Sequence, residues 1–485
     1  MKDLYLKHDA TGLAALVAKG DVTPDQLLDV ALDLANTLNP RLNAVVHQRE
    51  GVARNAIRRG LPKGPFHGVP FLMKDLGTAA IEYPTNNGSC LTENMVWGHD
   101  SEIFKRMQAT GLVTFARTTS PEFGVGPVTE AQVYGGPTRN PWNLDHTSGG
   151  SSGGSGASVA AGIVPAAHGS DGGGSVRIPA SSCGLVGFKP TRARLPSGPV
   201  SGEGWGGMAM DGFLTRSLRD TAALLDAVRG ADLGAPYWAP PMQGSFVQAM
   251  ARPAGTLRVQ FSTQSLTGDD VHCECAKAVR KTATLLQGLG HEVEEFRLPD
   301  DLDAETMMLA WTKIVACGTA LTVRGILAGK PLDPTLIDGV TRGAIAHAEQ
   351  VSGADYLEAV NQIHAFGRRM AHIFDTCDVL ITPTLAAPPA PVELLKPDNE
   401  DFVDYRTGKG GVFDYSPFTA IFNASGQPAV SLPLHWSDAG LPVGVHLAMA
   451  FGDDERLMSL SAQIEQAAPW AATQQSLIAK GGIAD

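Results

Sequence analysis

The stretch that most limits what this chain can become runs from residue 149 to residue 181. It opens with GGSSGGSG (149–156), passes into the alanine-rich ASVAAG (157–162) and closes on GSDGGGSVRIPAS (169–181). Glycine and serine together favour flexible coil, so the first run read alone is a linker. A linker is seldom followed at once by helix-forming alanines, as this one is. The alternative is a place where backbone and hydroxyl groups pack closely for a chemical purpose.

The rest of the chain supplies the setting. Thr23-Pro24-Asp25-Gln26 reads as a helix start with a capping box. Leu27, Leu28, Ala31, Leu34, Ala35 and Leu38 follow at helical spacing, and Asn39-Pro40 is expected to end the run. GVPFLMKDLG (68–77) reads as a short buried strand ending at a charged pair, and GLVTFARTTSPEFG (111–124) as a strand and a turn. Ala157 to Gly162 suits a helix, and Ile163 to Gly169 a strand. LRVQFST (257–263), a helix from about 271 to 289, and HEVEEF (291–296) make a strand–helix–strand unit. DVLITPT (378–384), PAVSLPL (428–434) and GLPVGVHLAMA (440–450) add strands. Such alternation predicts an α/β protein with a parallel or mixed sheet. No repeat and no obvious linker divides it.

At 485 residues, 43% hydrophobic and 18% charged, the chain can bury a large core. A net charge of -12 argues against general affinity for nucleic acid or an anionic membrane. The amino terminus carries charges throughout and lacks the apolar segment of a signal peptide, and no uninterrupted apolar stretch approaches the length of a membrane span. Cys90, Cys183, Cys273, Cys275, Cys317 and Cys377 are scattered, which suits a reducing compartment. The expectation is a soluble cytoplasmic protein.

GGSSG matches G-x-S-x-G at Ser151 and GSSGG matches it at Ser152, but a nucleophile elbow needs an apolar strand directly before the serine. NPWNLDHT cannot be that strand. A phosphate loop would need GK[ST] after the glycines, and none is present. Ser175 follows Asp171-Gly172-Gly173-Gly174 and a strand. Glycines leave backbone N–H groups unshielded, so those of Gly172, Gly173, Gly174 and Ser175 can converge on a developing oxyanion. The bland alternative is a tight turn before a helix. A serine also needs a base. His168 and His67 read better as packed histidines. Lys74, a lone cation at the end of a buried strand, can lose its proton through desolvation, although a buried salt bridge is the commoner fate.

Lys74 in GVPFLMKD, GGSSGGSGASVAAG (149–162) and GSDGGGSVRIPASSCGLVGFKPT (169–191) together resemble the amidase signature family. The likeness continues through TRNPWNL (138–144), DVLITPT, FNASGQPAVSLPL (422–434) and GLPVGVHL, so it covers essentially the whole chain. It implies one α/β domain over 1–485, a central twisted mixed sheet covered on both faces by helices. A signature core would span about 64–215, and a pocket-forming region about 255–375. It implies a Ser–cis-Ser–Lys triad: Ser175 as nucleophile, Lys74 as base, and Ser151 as the bridge, its bond to Gly150 cis. Ser152 would support the network by hydrogen bonding, and Asp171 and Arg177 would brace the loop. One departure is Gly172, where many members carry a larger residue, so a roomier or more mobile loop is expected.

Within the family, NPWNL, AHGSD, GSVRIPAS and FNASGQPA look most like the branch that hydrolyses cyclic nylon oligomers, which shades into aryl-amide and carbamate hydrolases. The resemblance implies no cofactor. By that analogy Cys317 would contact substrate, and Tyr134 and Trp311 would either wall the pocket or pack in the core. His272-Cys273-Glu274-Cys275 invites a zinc reading, but adjacent residues of a helix point to different faces and no second pair stands nearby. No metal is expected. No cluster of cations marks a carboxylate pocket, so the expected substrate is a neutral or bulky amide. A homodimer is the default for a soluble enzyme. Two rivals stand beside this reading. One is the ammonia-releasing subunit of a glutaminyl-tRNA amidotransferase, whose lysine is typically followed by Asp-Asn where this chain has Asp75-Leu76. The other is a non-catalytic homologue that has kept the scaffold.

Overall fold

The computed structural model describes residues 1–265, 270–297 and 299–484. Its strands are β1 (Val45–Val46), β2 (Pro70–Lys74), β3 (Val113–Thr118), β4 (Arg139–Asn140), β5 (Asn143–Thr147), β6 (Ala166–Asp171) and β7 (Val186–Lys189). They continue with β8 (Met210–Thr215), β9 (Arg258–Phe261), β10 (Glu292–Glu295), β11 (Val379–Pro383), β12 (Ala429–Trp436) and β13 (Pro442–Met449). Eleven form one sheet in the order β1-β3-β2-β6-β8-β7-β12-β13-β11-β9-β10, while β4 and β5 pair separately. β2 runs parallel to β3 and β6, and β9 parallel to β10 and β11; the other contacts of this sheet are antiparallel. The sheet is mixed, in one large domain.

Alternation along the strands splits the interior. Val379 and Ile381 of β11 enter one core and Leu380 the other, as expected when successive side chains point to opposite faces. The first core takes Leu27, Leu28 and Leu34 of the helix Pro24–Leu42. The second takes Trp311 and Ile314 of the helix Ala304–Leu327 and Phe366 of the helix Gly353–Thr376. Helices therefore cover both faces. By length and composition Ala304–Leu327 could cross a membrane, the one such helix among the described residues. Its apolar side is instead buried in the second core.

Several boundaries differ from the sequence reading. The Thr23–Gln26 capping box is present, but the helix runs through Pro40 to Leu42 and closes on Asn43 in a left-handed conformation. Pro40 has no N–H to give the Asn36 carbonyl, so carrying the helix past it costs one hydrogen bond. The helix expected at Ala157 begins at Gly153, inside the glycine run. A Cβ on Gly154 would lie 2.4 Å from the backbone nitrogen of Thr119, so the glycine admits a neighbouring chain. The strand expected over Ile163 to Gly169 is shifted to Ala166–Asp171.

Candidate active site

The parallel strands β2, β3 and β6 end at the same edge of the sheet. β2 brings Lys74 there and β6 brings Ser170 and Asp171. Lys74 is fully buried. Its Nζ donates to Ser151 Oγ at 2.7 Å and to Ser170 Oγ at 2.9 Å, with no carboxylate in ion-pair contact among the described residues. Burial pulls its pKa down to about 7, while the charges of Asp171 and Asp211 oppose the shift. At neutral pH a large share of this lysine is uncharged amine.

Ser151 reaches the lysine from the glycine run. Its bond to Gly150 is cis, as the resemblance implies. A Cβ on Gly150 would fall 2.6 Å from Val128 N, so no side chain fits at that turn. Ser152 Oγ accepts from Ser170 N–H and donates to Ser170 O, each at 3.2 Å, clipping the run to the end of β6. Ser170 was not singled out in the sequence. The signal was available, because Ser170 and His168 share one face of β6 and both reach Lys74. His168 Nδ1 accepts the Lys74 backbone N–H at 3.4 Å and its Nε2 lies 3.0 Å from Asp211 Oδ1. His168 is thus a packed histidine that positions β2. His67 precedes β2, at the end remote from Lys74, with Nδ1 against the Pro62 carbonyl.

After β6 the chain turns through Gly172, Gly173, Gly174 and Ser175 into the helix Arg177–Cys183. Asp171 anchors the turn. It accepts from Gly174 N–H at 2.8 Å and Val176 N–H at 3.2 Å, and from Arg177 Nε and Nη2 at 3.0 and 2.8 Å. Burial alone would raise the Asp171 carboxyl, but the Arg177 guanidinium and the Asn423 amide hold it below the usual carboxylate range. Thr419 Oγ1 donates to Gly173 O at 2.6 Å. Asn423 and Thr419 were not foreseen. They arrive from the far end of the sequence; Asn423 lies in the FNASGQPA run that carries the resemblance, but no role was read for it there.

Two expectations for this loop are corrected. The Gly174 N–H is taken by Asp171, so only those of Gly172, Gly173 and Ser175 have no acceptor among the described residues. Gly172 does not loosen the loop, since a Cβ there would meet the Trp205 ring at 2.5 Å. The indole occupies the room that a larger side chain would need.

Ser175 is 9% exposed, and its Oγ has no hydrogen-bond partner among the described residues. It opens onto a narrow crevice of about 30 Å³ whose walls include Gly173, Ile178, Trp205, Trp311, Phe413 and Arg406. Trp311 thus does line the space before Ser175. Tyr134 does not: its hydroxyl donates to Asp75 Oδ2 at 2.7 Å, an interior network that also takes in Thr85 and Asn86. Cys317 faces a separate groove with Leu321 and Arg324, on another side of the helix Ala304–Leu327. No cluster of cations lines the crevice among the described residues, but a single one, Arg406, stands in its wall. His272 caps the helix Cys273–Gly288, Cys275 is buried, Glu274 pairs with His435, and Cys273 is exposed, so the four do not converge on one point.

Known proteins share the fold over nearly the whole chain. A family model described as Amidase matches residues 26–458. The 6-aminohexanoate-cyclic-dimer hydrolase of Paenarthrobacter ureafaciens is 36% identical over 489 residues, covering 99% of this chain and 98% of that protein. The solved structure of a 6-aminohexanoate cyclic dimer hydrolase with substrate superposes with a TM-score of 0.90 at 34% identity, over 98% of this chain and 99% of the other. A bacterial aryl acylamidase of the amidase signature family follows at 0.86 and 28% identity, over 97% and 98%. With a family model matched over most of its length and the fold shared across nearly the whole chain, the chain belongs to the amidase signature family, hydrolases of carbon–nitrogen bonds other than peptide bonds.

Proposed function

We propose that the protein cleaves a bulky carboxamide through a serine acyl-enzyme, with Ser175 as nucleophile, Ser151 as proton bridge and Lys74 as base. The observation that carries this reading is the buried Lys74 amine, 2.7 Å from Ser151 Oγ and with a pKa brought to about 7. Neutral Nζ takes the Ser151 proton as Ser151 Oγ takes that of Ser175. The Ser175 Oγ–carbon bond forms and the carbonyl electron pair moves onto oxygen. The free N–H groups of Gly172, Gly173 and Ser175 are placed to receive that charge, each such donor being worth roughly 3 kcal/mol. Collapse breaks the C–N bond, the leaving nitrogen takes a proton back through Ser151, and water repeats the sequence to release the acid.

The aromatic crevice and the named relatives favour a lactam oligomer, aryl amide or carbamate over a small primary amide. The test is a panel of those compounds with the wild type and Ser175→Ala, combined with sulfonyl fluoride labelling and peptide mapping. Turnover by the wild type alone and a label on Ser175 are expected. Residual turnover in Ser175→Ala, or a label elsewhere, refutes the assignment. Ammonia release from glutamine only with a partner protein would favour the amidotransferase reading.

A further inference from the structure

We propose that Arg406 is a substrate-binding residue that receives a carboxylate carried by the amide bound at Ser175. The inference rests on the amidase reading above and narrows its substrate class. Arg406 comes from the short helix Phe402–Thr407 and lines the same crevice as Ser175 and Gly173. Only 3% of it is exposed. Its guanidinium carbon lies 4.2 Å from the Trp311 ring centroid, 5.6 Å from that of Phe402 and 5.9 Å from that of Phe413. The rings attract a cation but accept none of its in-plane hydrogens.

Every other buried arginine has an acceptor. Arg117 donates to the carbonyls of Lys74, Thr78 and Tyr83, Arg177 and Arg194 meet Asp171 and Asp454, and Arg216 meets the His8 carbonyl. Arg406 has no hydrogen bond and no ion pair among the described residues, and its Nε is buried without an acceptor. Burial pulls its pKa down to about 10, offset only by the neighbouring Tyr405, so it remains a cation at neutral pH. A buried charge with unanswered donors is costly unless something completes it. The crevice is the side from which an acceptor can come. A planar fork of donors held flat by aromatic rings matches the two oxygens of a carboxylate. This reverses the sequence expectation of a neutral substrate, which looked for a cluster of cations where one is enough.

The experiment compares matched pairs of amides. On the acyl arm these are the p-nitroanilides of hexanoic acid and of adipic acid as its half-acid; on the amine arm, an N-acyl ω-amino acid and its alkylamine counterpart. In the wild type, one charged member should have a KM about ten-fold or more below that of its neutral partner. Arg406→Met should bring that ratio to within about two-fold, and Arg406→Lys should leave it intermediate, because an ammonium keeps charge without the fork. A ratio near one in the wild type, or a ratio that survives Arg406→Met, overturns the proposal. Hydrolysis of the neutral anilide by the wild type, lost in Ser175→Ala, tests the amidase reading separately. Calorimetry on Ser175→Ala gives a readout that requires neither turnover nor a folded Arg406 variant. Hexanoate should bind at least about ten-fold more tightly than hexanamide, and equal affinities would sink the idea.

Discussion

Arg177, two residues after Ser175, and Arg406, in the wall of its crevice, are both buried, and their surroundings differ completely. Arg177 gives Nε and Nη2 to Asp171, Nη2 also to Asn423, and Nη1 to the Thr419 carbonyl and to His446. Arg406 has three aromatic rings and no acceptor among the described residues. A cation answered on every edge holds a scaffold; one with an open edge toward a cavity is arranged for something that arrives. Lys74 lies between these extremes. Hydroxyls answer its Nζ but no carboxylate does, so the cheaper course is to release the proton.

The largest expected effect separates Lys74 from both arginines. Lys74→Met should lower kcat/KM by roughly three orders of magnitude while making the fold more stable. The folded lysine titrates near 7 against an ordinary 10.5, so between those values the unfolded chain holds a proton that the folded one lacks. Wild-type stability should therefore rise with pH across that window, by about 1.4 kcal/mol for each pH unit. The gain from Lys74→Met should be fullest below pH 7 and shrink across the same window, as denaturant melts would show. Wild-type kcat/KM should climb through about pH 7 and level above it; a profile flat through neutrality, with chemistry rate-limiting, would remove Lys74 as the base.

Next comes the contrast itself. Arg177→Met strands Asp171 as an unpaired buried carboxylate and should cost about 3–5 kcal/mol. Arg406→Met strands nothing and should change stability by less than about 1 kcal/mol, or improve it. Equal drops in Tm would erase the distinction. Gly172→Ala should cost about 1–3 kcal/mol by driving a methyl into Trp205. Trp205→Leu should relieve much of that loss, and a double-mutant cycle with no coupling would show that the indole does not shape the loop. Smallest is Tyr134→Phe. It removes one hydrogen bond to Asp75, worth about 1 kcal/mol, and should leave KM within about two-fold. A large rise in KM would return Tyr134 to the pocket.

What could be read in advance was local. The capping box at Thr23 and the strand ending at Lys74 follow from neighbouring residues; the strand before Ser175 was placed a few residues early, and the cis bond at Gly150 came from the family resemblance. Ser170 was legible too, through the two-residue period of β6, had that period been applied to the strand's end. Asn423, Thr419, Trp205 and Arg406 were not, because each reaches the site from a distant segment. Gly172 misled for the same reason. A missing side chain reads as empty space until a residue elsewhere in the chain is known to fill it.

The amino-acid order alone determined the rhythm of strand and helix, the dense hydroxyls beside a strand-end lysine, and the places where glycine lets two backbones touch. Those depend on periodicity and local sterics. Which cation gives up its proton, which is neutralised and which keeps a vacant edge was decided only by the assembled tertiary structure. The energy of a charge is set by the solvent it has lost and the partners it has gained, and both are counted in space, not along the chain.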